Sequence, residues 1–510
     1  MTDQITHYDA VEAYGGSLSV LPGEVLDLHV WCATATYDVE VARAGGAVVW
    51  SAAGLPGVQH HTPDDADSNG CRWPVSLQVP VGADWASGVY LATLRAHGAA
   101  TDRSVGHAIF VVRALRPISP ILLVLATNTY NAYNAWGGRS LYTGGRRVSF
   151  DRPFARGLMV RPDAGDEDRK SPPCPPGQQP DIDGLRYLAH RTAHGYPPAM
   201  SSTGWYTYER RFVEWAGRHG ITFDYAVSED LSRDPSMLDG YSLVLGVGHD
   251  EYWSAPQRDA LERYVAGGGN HASFSGNTMF WQVRFDPTGR HMTVFKYVAH
   301  RDDPVVGTDQ QHTMSGMWCD PIVGRPEWTF LGAGSAYGLY SRFGWATPRS
   351  PGGFTVYRDR HWMFEGTGLR YGDMLGAQHG IVGYETMGVR MALDEYGLPF
   401  SVSPGAPPSE IVAWAPASNL GDGDYPAGAV SFTGDEQVDL DFVAQRLYGD
   451  TSDDSRNRVR HGNAVMLECR PFDGGGTVVT IGSTDWVYGL HDPAVDRVTL
   501  NVVRRLGAPR

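Results

Sequence analysis

Hydrophobic positions follow two regimes along this chain. Up to about residue 115 they alternate with polar ones in short runs: Ser17–Val20, Val25–Trp31, Asp38–Ala42, Ala47–Trp50, Pro74–Val79, Gly88–Ala96 and Gly106–Val112. A period of two marks a strand with one buried face. Turn residues part the runs at the spacing expected of a β-sandwich. Beyond Arg116-Pro117-Ile118-Ser119-Pro120 the pattern changes. Ile121–Ala126 and Tyr241–Leu245 are continuous apolar runs, as strands buried on both faces require. Tyr208–Arg218 has the period of an amphipathic helix, and a second helix is predicted from Pro256 to Val265.

These patterns set the expected architecture. Residues 1–115 are read as an immunoglobulin-like β-sandwich, since Ala86-Ser87-Gly88-Val89-Tyr90 resembles the turn into a late strand of such a domain. No chemistry-bearing cluster occurs there, so its expected role is packing or assembly. Residues 116–510 are read as an α/β domain. The strands Ile121–Ala126, Phe223–Val227, Ser242–Gly246 and Ala272–Ser275 alternate with helices, which implies a parallel sheet with right-handed crossovers. Asp163–Pro198, rich in Pro, Gly and charge, reads as a long insertion loop. A mostly β segment with many Gly and Trp, about 300–435, is expected to be an excursion. The strand in Gly476–Trp486 then returns to the sheet, and the helix Ala494–Leu506, with Asp492-Pro493 as its cap, closes the chain.

Composition narrows the function classes. The 510 residues allow two or three domains, and 42% hydrophobic content allows a large core. With 42 basic against 57 acidic residues the net charge is -15, which disfavours nucleic acid and anionic membranes as partners. Ile121–Ala126 is far too short to span a bilayer. Met1–Gly16 carries no basic stretch followed by an apolar one, so the expectation is a cytoplasmic protein. Five cysteines (Cys32, Cys71, Cys174, Cys319 and Cys469) are scattered with no C-x-x-C pair, and reduced thiols are expected. Cys32 and Cys71 could pair within one domain, but the compartment argues against it.

The chemistry concentrates after the strands. There is no phosphate loop, no dinucleotide fingerprint, no H-E-x-x-H helix and no complete G-x-S-x-G elbow. The domain order resembles class I glutamine amidotransferases. Their nucleophilic Cys would fall at Ser275-Gly276-Asn277-Thr278, where no Cys stands, so thiol amide chemistry is not expected. Instead, Gly248-His249-Asp250-Glu251-Tyr252-Trp253-Ser254 places three ionisable groups at a strand end, where open α/β sheets keep ligands. The plain reading is an acid-flanked helix start with Ser254 as N-cap. Asn128-Thr129-Tyr130-Asn131-Ala132-Tyr133-Asn134 follows the first parallel strand as a loop, and Gly137-Gly138-Arg139-Ser140-Leu141-Tyr142 comes shortly after. Phenolate and carboxylate oxygens are hard donors that suit a trivalent metal, and two phenolates with one carboxylate would neutralise Fe(III). Tyrosines in loops also serve simply as walls, with the hydroxyl bonded to backbone.

Five stretches together resemble the catalytic region of the N,N-dimethylformamidase large (beta) subunit: 248–253, Ser275–Arg284, 128–134, 137–142 and Gly383-Tyr384-Glu385. The resemblance covers roughly residues 116–510. It implies hydrolysis of a formamide at a mononuclear iron held by two Tyr and one Glu. Carried over by motif, Glu251 is the carboxylate ligand, Tyr142 one phenolate, and Tyr133 or Tyr130 the other. His249 and Glu385 match acid/base residues, and Asn277 and Lys296 match polar pocket residues. Trp253, Trp281 and Trp136 are expected to wall the pocket. The implied partners are a small amide substrate and, in assembly, a second copy or a small partner subunit. The alternatives are a different C–N hydrolysis on the same iron site, or a non-catalytic binding module that uses the aromatic surface.

Overall fold

The computed structural model describes residues 7–161, 169, 185–197, 199–345, 352–418 and 438–509. The alternating runs of the first part form two sheets. One holds Val11–Gly15, Val25–Cys32 and Leu77–Pro80. The other runs Ser19–Val20, Val105–Val112, Gly88–Ala96, Thr36–Arg43 and Val48–Pro56. Val30, Leu28, Val39, Leu94 and Phe110 meet in the core between them. Val11–Gly15 escapes the periodicity reading because all five of its residues are buried, so nothing alternates.

The main sheet has nine strands, in the order Asp224–Val227, Ile121–Leu125, Leu243–His249, Asn270–Gly276, Val478–Ile481, His461–Cys469, Ser409–Ser418, Phe354–Val356 and Met374–Leu375. The first five are parallel to one another. The remaining four are antiparallel to their neighbours. Val478–Ile481 thus sits beside Asn270–Gly276, where the tail was expected to return. The segment expected to be an excursion does not stand apart, because Phe354–Val356, Met374–Leu375 and Ser409–Ser418 extend this same sheet. They continue pairing that a bare edge strand would leave open to water or to other chains.

Period two sorts the parallel strands between two cores. Leu123, Leu125, Leu243, Leu245, Val247 and Phe274 face one side, with Phe212 and Trp215 of the helix Glu209–Arg218 and Val495, Val498 and Val502 of the helix Pro493–Leu506. Leu122, Val124 and Val244 face the other, with Leu261, Tyr264 and Val265 of the helix Ala255–Ala266. Each such side chain, fully buried, contributes about 1.5–3 kcal/mol. Both cap expectations hold: Ser254 Oγ accepts from Gln257 N at 3.3 Å, and Asp492 Oδ1 accepts from Ala494 N at 2.8 Å.

One expected loop is a helix. Thr127–Tyr133 is helical with all seven residues buried, although its Asn and Thr favour turns. Tertiary hydrogen bonds reverse that preference: Asn128 Nδ2 donates to Tyr252 O at 3.1 Å and to Gln257 Oε1 at 3.0 Å. Most of Asp163–Pro198 lies outside the described residues, but Leu185–Ala193 within it is helical. Cys32, Cys71, Cys319 and Cys469 are free and buried, and Cys174 lies outside the described residues. Among the described residues no helix is long and apolar enough to cross a membrane.

His271, inside the parallel sheet, is 2% exposed and bonds through Nδ1 to Val244 O at 3.0 Å. Burial lowers its pKa from 6.5 to about 4. The neutral ring is the folded form, so its contribution is complete above 6.5 and disappears as pH falls toward 4. That difference is worth about 3 kcal/mol. His271→Asn, which keeps an N–H for Val244 O, is expected to lose less stability over that window than the wild type, measured by urea unfolding at stepped pH.

Candidate active site

Three neighbouring parallel strands are held in one register. Leu243 pairs with both Ile121 and Asn270, and His249 pairs with Gly276. Their C-terminal ends deliver the site. Ile121–Leu125 leads into the helix that ends at Tyr133, Leu243–His249 leads to Glu251, and Asn270–Gly276 leads to Asn277. Glu385 arrives on Gly383–Gly388, which crosses these ends with Thr386 bridged to Ser483 and Glu385 N bonded to Thr484 Oγ1 at 3.2 Å. The crossing needs glycine at 276, since a Cβ there would lie 2.1 Å from Glu385 O. Gly248 is needed too: its φ is 82°, and a Cβ would lie 2.3 Å from Tyr208 Cβ.

Glu251, buried, is the hub. Tyr133 O–H donates to its Oε2 at 3.0 Å, Tyr142 O–H donates to both oxygens at 2.8 Å, and Trp281 Nε1 donates to Oε1 at 2.7 Å. Its own backbone N–H donates to Thr129 Oγ1 at 2.9 Å, which ties it to the helix carrying Tyr133. The Tyr133 and Tyr142 rings stack with centroids 4.1 Å apart. Burial first, and the Glu251 charge second, hold both phenols well above the usual tyrosine pKa. Tyr142 is nevertheless 41% exposed, with its hydroxyl turned inward, so its ring marks the open side of the cluster.

A second layer lies against the first. His249 Nδ1 is 2.7 Å from Ser202 O, so that nitrogen carries hydrogen, because a carbonyl only accepts. His249 Nε2 is 2.8 Å from Glu385 Oε2 and 3.3 Å from Glu251 Oε2. Burial pulls the imidazole pKa down, but the Glu385 and Glu251 carboxylates together outweigh it and lift it to about 10. His249 is thus an imidazolium between two carboxylates. Asn277 Nδ2 donates to Glu385 Oε2 at 2.7 Å. The Lys296 ammonium sits 3.4 Å from the centroid of the Tyr142 ring. Asn277 and Lys296 both have left-handed backbone, with φ of 51° and 50°. Asparagine tolerates that conformation, and lysine is held in it by its N–H bond to Ser315 O at 3.0 Å.

The residues expected as metal ligands, acid/base groups and polar pocket groups come together except Tyr130. Its hydroxyl faces the Glu209 carboxylate and its ring packs edge-on against Phe154. Of the three expected wall tryptophans, Trp281 touches the cluster. Trp253 Nε1 instead donates to Asp250 O at 3.0 Å, and Trp136 packs edge-on against Trp73 of the sandwich. Two site residues were not anticipated. Tyr252 O–H donates to the Tyr142 oxygen at 2.9 Å, and Tyr384 stands edge-on to His249 with centroids 5.6 Å apart. Each adjoins a predicted carboxylate within its motif, which was the available signal. Among the described residues, His249, Glu251 and Glu385 are a group of His, Cys, Asp or Glu whose ligand atoms lie within 4.8 Å of one another.

Residues 37–498 match the family described as N,N-dimethylformamidase beta subunit-like, C-terminal. The chain belongs to this family. The match begins within the sandwich, further toward the N-terminus than the site motifs reach. Over 76 residues the chain is 33% identical to the N,N-dimethylformamidase beta subunits of Alcaligenes sp and of Paracoccus aminophilus. That stretch is 15% of this chain and spans only 10% of the length of either relative.

Gly276→Ala is expected to push Gly383–Gly388 off the strand ends and cost about 1–3 kcal/mol by overpacking. Chemical denaturation measures the loss, and an unchanged midpoint would show that the crossing is looser than these distances imply.

Proposed function

We propose that the protein is an iron-dependent amidohydrolase that cleaves the C–N bond of a small amide, such as an N-substituted formamide, with water. The observation that carries this reading is the convergence of two phenol O–H groups and one buried carboxylate on a single point. Both phenol protons are directed at Glu251. Replacing both by a cation leaves three anionic oxygens, and a trivalent ion neutralises them without leaving net charge buried. Tyr133, Tyr142 and Glu251 therefore fit Fe(III). Membership in a family named for a formamidase subunit supports the amide substrate.

When bound, the ferric ion supplies Lewis acidity toward a carbonyl and toward water. The proton handling belongs to the chain. Glu385, 2.8 Å from His249 Nε2, takes a proton from the attacking water as the O–C bond forms. It returns that proton to the departing amine nitrogen as the C–N bond breaks. His249, anchored through Nδ1 to Ser202 O, fixes the orientation of Glu385 together with Asn277. Asn277 and Lys296 stabilise developing negative charge on the carbonyl oxygen, worth about 3 kcal/mol for a well-placed donor. The half-exposed Tyr142 marks the side from which substrate enters. The two curated relatives are named beta subunits, which supports assembly with a further, smaller subunit.

The His249, Glu251 and Glu385 group favours a second reading, a divalent ion held by one imidazole and two carboxylates. Colour separates the two, because phenolate-to-Fe(III) charge transfer absorbs visible light and a zinc site does not. Metal analysis with a visible spectrum is expected to return one iron per chain and a phenolate band. Glu251→Ala should lose iron and formamide hydrolysis together. Glu385→Gln should retain iron while turnover falls by roughly 10²–10⁴-fold, the usual contribution of a general acid–base. Wild-type turnover by iron-loaded Glu385→Gln would remove that residue from the mechanism.

A further inference from the structure

One of the two phenols on Glu251 is itself engaged from behind. Tyr252, fully buried, donates its hydroxyl to the Tyr142 oxygen at 2.9 Å. The direction of this bond follows from the chain of donors. A carboxylate can only accept, so Tyr142 directs its proton to Glu251 and keeps its lone pairs for Tyr252. The ammonium of Lys296 lies over the face of the same Tyr142 ring, 3.4 Å from its centroid, and 5.7 Å from the centroid of Tyr252. Both groups favour negative charge on Tyr142, one at its oxygen and one at its π-face. The amide-hydrolysis reading has no use for Tyr252. A phenylalanine would fill that buried position without a hydroxyl to satisfy.

We propose that Tyr252 is a positioning residue that acts with Lys296 to weaken Tyr142 as an electron donor to the bound ion, so that the two phenolate ligands are tuned separately. This rests on the ferric reading above. On binding, Tyr142 exchanges its proton for the ion, and the Tyr252 hydrogen bond strengthens because its acceptor is now charged. Charge held back on Tyr142 in this way lowers the energy of its donor orbitals. The ion is left more electron-poor, which favours its action on a carbonyl.

The test is the visible spectrum of iron-loaded holoprotein. Removing either group makes Tyr142 more electron-rich, so Tyr252→Phe and Lys296→Met should each move the phenolate-to-iron maximum to longer wavelength, and the double variant should move it further. A purely structural role for Tyr252 would change iron content or unfolding midpoint and leave the maximum in place. A wild-type band that is unmoved in both iron-loaded variants overturns the proposal and spares the iron reading. Absence of any phenolate band in iron-loaded wild type overturns the iron reading itself. Should Tyr252→Phe take up no iron, the position of the Lys296→Met band decides the matter.

Discussion

A carboxylate removed from water must be paired, and Glu251 is paired by donors from three separate segments: the helix ending at Tyr133, the loop carrying Tyr142 and the strand beginning at Trp281. Leaving such a group without partners costs several kcal/mol. The site and the local fold are therefore coupled, since whatever places those donors also keeps Glu251 tolerable where it stands. Two of these segments, and the imidazole beside them, are anchored in turn. Thr129 holds the Glu251 backbone, Trp281 N donates to Glu251 O at 3.0 Å, and Ser202 O fixes the imidazole that lies against the same carboxylate.

The same arrangement concentrates local cost. Gly248 and Gly276 lie where a side chain would collide with a neighbouring element, and Asn277 and Lys296 hold left-handed backbone. Each left-handed non-glycine residue costs on the order of 1–3 kcal/mol. The two hydrophobic layers flanking the parallel strands supply the stability that offsets this. Asn277 stands directly after the strand Asn270–Gly276, at a strand end where site groups must be held in place.

The sandwich takes part in this arrangement. Between Tyr133 and Tyr142 the chain passes through Trp136, Gly138 and Arg139. Trp136 packs edge-on against Trp73 of the sandwich, with centroids 5.7 Å apart, and Arg139 N donates to Asp67 Oδ2 at 2.7 Å. Ser19 Oγ bonds to Asp230, and Tyr225 N bonds to Ser87 Oγ, which fasten the sandwich to the α/β part elsewhere. The loop that carries the second phenol is thus braced by the N-terminal module.

Much of this was legible in the chain. The continuous apolar runs Ile121–Ala126 and Tyr241–Leu245 marked two strands buried on both faces, and Ser254 and Asp492 announced the helices they cap. Motifs carried Glu251, His249, Glu385 and Asn277, since local chemistry is written in adjacent residues. Periodicity did not reveal Val11–Gly15, nor the helix Thr127–Tyr133, where the Asn128 amide donates to partners more than 120 residues away. The fold separates Tyr133 from Tyr130 by their partners: the Tyr130 hydroxyl faces Glu209, and the Tyr133 hydroxyl donates to Glu251. Sequence determined which residues could donate oxygen and where strands would run. Tertiary structure decided which oxygens meet, because hydrogen-bond partners are set by the packing of distant segments and not by spacing along the chain.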